Sequence, residues 1–166
     1  TDELVIKQFR SEMPKEKNNE LLLETLEKID LRDWKVLLIG PYTEEFKKLY
    51  DNFIERNQDK KNKVVLVGNI SDRSLLYDYY NRAKVFILTS RWESFGIVLV
   101  EALRLGNYII TTDVGGARDI TENGKIGSII EVGNSKQLQN EIRKVIDNKV
   151  ELEKKYNESL KLSNEK

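Results

Sequence analysis

The chain has 166 residues, 39% hydrophobic and 34% charged, which suits one soluble domain with a substantial core. Its 28 basic and 28 acidic side chains cancel, against the basic excess of a nucleic-acid binder. With no cysteine and no histidine, disulfides, thiolate or imidazole metal sites and Ser-His-Asp triads are all excluded.

Short apolar runs alternate with helical patterns along nearly the whole chain. A strand is expected at Leu4–Phe9 and a helix at Asn19–Ile29, followed by a strand at Val36–Ile39 that Gly40-Pro41 ends abruptly. A helix at Glu44–Arg56 leads to the basic run Lys60-Lys61-Asn62-Lys63, read as a solvated turn, and then to a strand at Val64–Val67. Ser71 or Ser74 is expected to cap the helix Ser74–Arg82, which precedes a strand at Val85–Thr89. The helix Phe95–Leu105 is apolar almost all round and so is expected to be buried, with Gly106 as its left-handed stop. Strands at Tyr108–Thr111 and Ser128–Val132, a helix at Ser135–Asp147 and a polar helix near Val150–Leu162 complete the pattern. Most strands are continuous apolar runs, as in sheets buried on both faces. The expected fold is a doubly wound, Rossmann-like α/β domain with an open parallel sheet of about six strands and helices on both faces. No apolar run approaches a membrane span and no signal peptide is visible, so a cytoplasmic location is the default expectation. A start at Thr1 without methionine suggests a piece of something longer.

In such sheets ligands bind at the carboxyl ends of the strands, where strand order reverses. The stretch after the Val85–Thr89 strand is therefore the first place to seek chemistry. Glu93 lies in that connection, and the free N–H groups around Gly96, Ile97 and Val98 at the following helix start form an anion site. Gly96, without a side chain, allows close approach to the backbone. Glu101 is a carboxylate in an apolar helix, and an unpartnered one buried there costs several kcal/mol, as an order of magnitude. On the residues alone, a salt bridge to Arg104, exposure at the sheet edge and a role in ligand binding are all open. There is no Asp-x-Asp pair to hold a divalent metal against a diphosphate, so Lys, Arg and backbone N–H groups would have to neutralise phosphates.

The spacing of Glu93 and Glu101, with seven residues between them, resembles the E-x7-E motif of family-4 type retaining glycosyltransferases. The surroundings resemble that family in the same order. These are Trp34–Gly40, Val65–Ile70, Ala83–Ser90, Glu93-Ser94-Phe95-Gly96, Glu101-Ala102 and Thr111–Gly116. The resemblance runs from about Leu4 to Ile146 and implies the donor-binding, C-terminal domain of a two-domain enzyme of the glycosyltransferase-B fold. It implies that Glu101 accepts hydrogen bonds from the ribose of a nucleotide-diphosphate sugar. Glu93 would meet the donor sugar, with Ser94, Phe95, Gly96 and Ile97 around it. Gly68 and Ile70 would lie near the base. Arg10 and a lysine would neutralise the diphosphate. The lysine is Lys15 or Lys17, and Lys17-Asn18 before Glu20-Leu21-Leu22-Leu23 is the better match. Tyr42 and Trp92 are read as packing aromatics rather than stacking platforms. Where the family has Pro-Glu after the double glycine, this chain has Ala117-Arg118-Asp119, and Asp119 is given no role.

The resemblance further implies hexosyl transfer without a metal or other cofactor, in carbohydrate or polysaccharide biosynthesis. The acceptor, whether glycan, lipid or protein, would be held by an N-terminal domain absent from this chain, so the fragment alone would transfer little. Peripheral association of the full-length protein with the inner face of a membrane is compatible with this reading; nucleic acid is not an expected partner. Two alternatives stand beside it: a nucleotide-sugar epimerase or hydrolase on the same fold, and a non-catalytic partner subunit of a glycosyltransferase.

Overall fold

The structure is a computed structural model that describes residues 3–6, 18–91 and 97–147. The described elements are β1 (Glu3–Ile6), α1 (Asn19–Glu27), β2 (Lys35–Ile39), α2 (Glu44–Arg56), a 3₁₀ turn (Gln58–Lys60), β3 (Val64–Gly68), α3 (Arg73–Arg82), β4 (Val85–Leu88), α4 (Ile97–Arg104), β5 (Tyr108–Thr112), α5 (Ala117–Ile120), β6 (Gly127–Ile130) and α6 (Ser135–Asp147). The helix expected near Val150–Leu162 lies outside the described residues.

The six strands form one sheet in the order β3-β2-β1-β4-β5-β6, and every neighbouring pair is parallel. The expected Rossmann-like, doubly wound class is therefore the observed one. Because side chains alternate across a strand, each central strand feeds two cores. Val36 and Leu38 of β2 and Val85 and Ile87 of β4 join one cluster with α1, α2 and α6. Leu37, Ile39, Phe86 and Leu88 join the other, with α3, α4 and α5. The continuous apolar runs read from the sequence reflect this burial on both faces.

Several boundaries differ from expectation for identifiable reasons. The first serine-rich helix start is capped by Asp72, not by Ser71 or Ser74; its carboxylate accepts from the Ser74 N–H at 2.9 Å and the Leu75 N–H at 3.4 Å. The last strand ends at Ile130, and Val132 is exposed beyond it. Helix α1 stops at Glu27, while Ile29 and Leu31 continue into the core as a buried connection. Lys60 is no solvated turn residue: it is buried, and its ammonium donates to the Glu27 carbonyl at 3.1 Å, closing the carboxyl end of α1. Gly106, at φ 81, ends α4 in the left-handed conformation as expected. Asn107 follows it and ties β5 to the end of α3, donating to the Tyr80 and Ala83 carbonyls at 2.8 Å each.

Candidate functional site

Strand order reverses between β1 and β4, which pair through Leu4–Val85, Val5–Phe86 and Ile6–Ile87. The chain leaves the sheet side by side at Ile6 and Leu88, and the crevice of a doubly wound sheet opens at that point. Arg10, Lys15 and Lys17 follow β1, and Trp92, Glu93, Ser94, Phe95 and Gly96 follow β4; all eight lie outside the described residues.

The described rim is polar beneath the surface. Asn18, at the start of α1, is buried together with Thr89, Ser90, Thr111 and Thr112 at the carboxyl ends of β4 and β5. Thr89 donates its hydroxyl to the Asn18 carbonyl at 3.2 Å, and Arg91 donates to Asn18 Oδ1 at 3.4 Å. Thr112 donates its hydroxyl to the Ser90 carbonyl at 2.7 Å, so β5 supports the loop that leaves β4. Buried polar groups of this kind must be satisfied, and the satisfied network ties the start of α1 and the end of β5 to the residues that leave β4. All five lie in stretches that carry the family resemblance, but none was given a role from the sequence. The only available signal was the hydroxyl pairs Thr89-Ser90 and Thr111-Thr112 closing apolar strands.

Helix α4 places Glu101 one turn in from Ile97. Val98, Leu99, Ala102 and Leu103 are buried against the sheet, whereas Val100 and Glu101 are half-buried and Arg104 is exposed. The expectation of a helix buried all round is thus corrected. One face packs, and the carboxylate sits at its margin, where it keeps access to water or a ligand. Among the described residues, none forms an ion pair with Glu101.

On the opposite side of the crevice, β3 ends at Gly68 with φ 84, a conformation that strains any residue with a Cβ. Its carbonyl accepts from the Gly40 N–H at 2.7 Å, joining the ends of β2 and β3. A Cβ at Gly68 would stand 3.6 Å from Tyr42 Cε1, an ordinary contact, so the backbone angle and not the space demands glycine. Tyr42 is 40% exposed beside this turn, more open than a packing aromatic. Ile70 is half-buried against the α3–α4 core just after β3. After β5, the Val114 N–H bonds to the Thr112 carbonyl and the Ala117 N–H to the Val114 carbonyl, folding the double glycine into a tight turn. Arg118 pairs with Asp113 at 2.8 Å on the exposed side of that turn.

A parallel 3-2-1-4-5-6 sheet whose reversal point is framed by the loops after β1, β3, β4 and β5 is a Rossmann-like domain of the ligand-binding, doubly wound class. The chain matches the family described as glycosyl transferases group 1 over residues 6–162, and it belongs to that family. It is 34% identical over 113 residues to the capsular polysaccharide biosynthesis glycosyltransferase CapM of Staphylococcus aureus, a match covering 68% of this chain and 28% of that protein. It is 28% identical over 123 residues to a probable sucrose-phosphate synthase of Thermosipho melanesiensis, covering 72% of this chain and 29% of that one. The chain therefore spans less than a third of the length of these two relatives. Among solved structures, Anabaena HepE in complex with UDP and glucose superposes with a TM-score of 0.80 at 23% identity, over 99% of this chain and 44% of that one. That likeness is one of fold, the glycosyltransferase-B fold expected from the sequence. Among the described residues, no helix is long and apolar enough to cross a membrane.

Proposed function

We propose that this chain is the donor-binding domain of a retaining glycosyltransferase, holding a nucleotide-diphosphate sugar for hexosyl transfer. The observation that supports this most is the pairing of β1 with β4. It starts the loop bearing Arg10 and Lys17 beside the loop bearing Glu93, at the reversal point of the sheet. Family membership and the half-buried Glu101 at the margin of α4 support it further.

As the glycosidic bond to the donor lengthens, charge builds on the leaving diphosphate and the sugar becomes oxocarbenium-like. Arg10, Lys17 and the N–H groups at the start of α4, from Gly96 onward, stabilise the diphosphate without a metal. Glu101 accepts hydrogen bonds from the ribose hydroxyls. Glu93 positions the donor sugar, with Ser94, Phe95 and Gly96 shaping its seat. Gly68 and Ile70 border the base, where a backbone free of a side chain at Gly68 permits close approach. The acceptor and its general base belong to a second, N-terminal domain, which works from the cytoplasmic side.

A panel of nucleotide sugars tested by thermal shift checks the reading, because a ligand that binds only the native state stabilises it. At a concentration 100 times its dissociation constant, the gain is about 2.7 kcal/mol. For a chain of this size that raises Tm by roughly 5–10 °C. A panel of uridine and guanosine diphosphate sugars in which none shifts the midpoint contradicts it.

A further inference from the structure

Asn18 stands immediately before α1, at the position where an asparagine ordinarily turns its amide oxygen onto the helix's free N–H groups. It does not do so. Its backbone is left-handed, at φ 53 and ψ 47, whereas a capping residue is extended, and its side chain makes no cap hydrogen bond. The residue is only 7% exposed, yet both of its oxygens are engaged across the reversal point of the sheet. The Thr89 hydroxyl donates to its carbonyl at 3.2 Å, and the Arg91 guanidinium donates to its Oδ1 at 3.4 Å. Asn18 thus forgoes the cap that its type and place favour, and joins the connection after β1 to the connection after β4. Lys17 is its immediate neighbour on one side, and Glu93 lies two residues beyond Arg91 on the other.

We infer that Asn18 is a positioning residue, a latch whose bond to Arg91 holds the start of α1 against the residues that follow β4 and so sets the affinity for the donor's diphosphate. This deepens the proposed donor-site reading and rests on it. The left-handed backbone accompanies a carbonyl and an amide oxygen that both meet residues following β4. Arg91 is exposed, and its guanidinium reaches Asn18 Oδ1 from the surface.

The test is a double-mutant cycle on the purified protein, with affinity for uridine diphosphate and guanosine diphosphate measured by calorimetry and Tm measured alongside. Asn18→Gly keeps the left-handed backbone and removes Oδ1; Arg91→Ala removes the donor at a surface position; Asn18→Asp keeps an acceptor and tolerates the same backbone. Each of the first two should weaken binding by about three- to tenfold, the range that one hydrogen bond spans. The double variant should be no weaker than the worse single one, because both remove the same link. Asn18→Asp should retain the parent Tm, because its carboxylate still accepts from Arg91. Multiplicative losses in the double variant, or affinities that stay at the parent value while Tm falls, would overturn the latch and leave the donor site standing. A parent protein that binds neither nucleotide overturns the donor-site reading and the latch together.

Discussion

Glu101 sits half-buried one turn into α4, with Ala102 and Leu103 packed beneath it on the sheet. A carboxylate in that place can serve every donor alike through the ribose, whereas Glu93, in the loop before the helix, would meet only the sugar. Glu101→Gln should therefore weaken nucleoside diphosphate and nucleotide sugar equally, by roughly 1–3 kcal/mol if a charged hydrogen bond is lost. Glu93→Gln should leave nucleoside diphosphate binding almost unchanged and depress turnover, because its contacts strengthen toward the transition state. Titrations separate the two: unaltered nucleotide affinity in Glu101→Gln removes Glu101 from the site, and full turnover in Glu93→Gln removes Glu93 from the mechanism. A second single-residue test concerns the fold. A Cβ at Gly127 would stand 2.8 Å from the Ile109 carbonyl oxygen and 3.1 Å from Thr121 Cγ2. Gly127 and Ile109 are partners in the β5–β6 pairing, so the obstructing atom is backbone that cannot swing aside. Gly127→Ala should cost about 1–3 kcal/mol, as overpacking does. Urea denaturation that finds the variant as stable as the parent would show that the two strands part at little cost.

At the scale of elements, α1 is held at both ends, by Asn18 at its start and by cations at its finish. The Lys60 ammonium reaches the Glu27 carbonyl, Arg143 donates to the Lys28 carbonyl at 2.8 Å, and Arg56 pairs with the Glu27 carboxylate at 3.0 Å. The Arg56 and Asn57 hydrogen bonds hold the Glu27 carboxyl below its ordinary value of 4.5. A depressed carboxyl contributes stability above its unfolded pKa and loses it as pH falls through the folded one. The pair is largely solvent-exposed, so the contribution is about 0.2–1 kcal/mol. Stability measured against pH should show the parent ahead of Glu27→Gln at pH 7 and level with it at the acid end; a gap that persists at the acid end means that the carboxylate's charge is not the cause. The helix itself was legible, because Leu21, Leu22, Leu23 and Leu26 mark an apolar stripe. Its end was not, because Lys60 closes it from 33 residues away, and a basic run in sequence looks the same whether solvated or buried. The Ser71–Ser74 cap was ambiguous for a local reason: three good capping residues stand together, and only the backbone path selects Asp72.

For the molecule as a whole, the strands were legible because apolar runs buried on both faces leave a continuous signal, and the doubly wound class followed from their alternation with helices. The 3-2-1-4-5-6 order was not legible, since nothing local to a strand states which neighbour it will choose. That order joins what the sequence keeps apart: the connection after Ile6 and the connection after Leu88 are 82 residues distant in the chain and adjacent in the sheet. The glutamate pair was visible as a spacing, while the buried Asn18–Thr89–Ser90–Thr112 layer was not, because its members come from the start of α1, the connection after β4 and the end of β5. The central claim is that this reversal point binds a nucleoside diphosphate through cationic side chains and helix N–H groups, with no metal. Calorimetric titration of uridine and guanosine diphosphate, with a chelator and again with magnesium or manganese, tests it most directly. Binding of at least one of them with equal affinity in both conditions is the expected result; binding only in the presence of the divalent ion, or binding of neither, would contradict it.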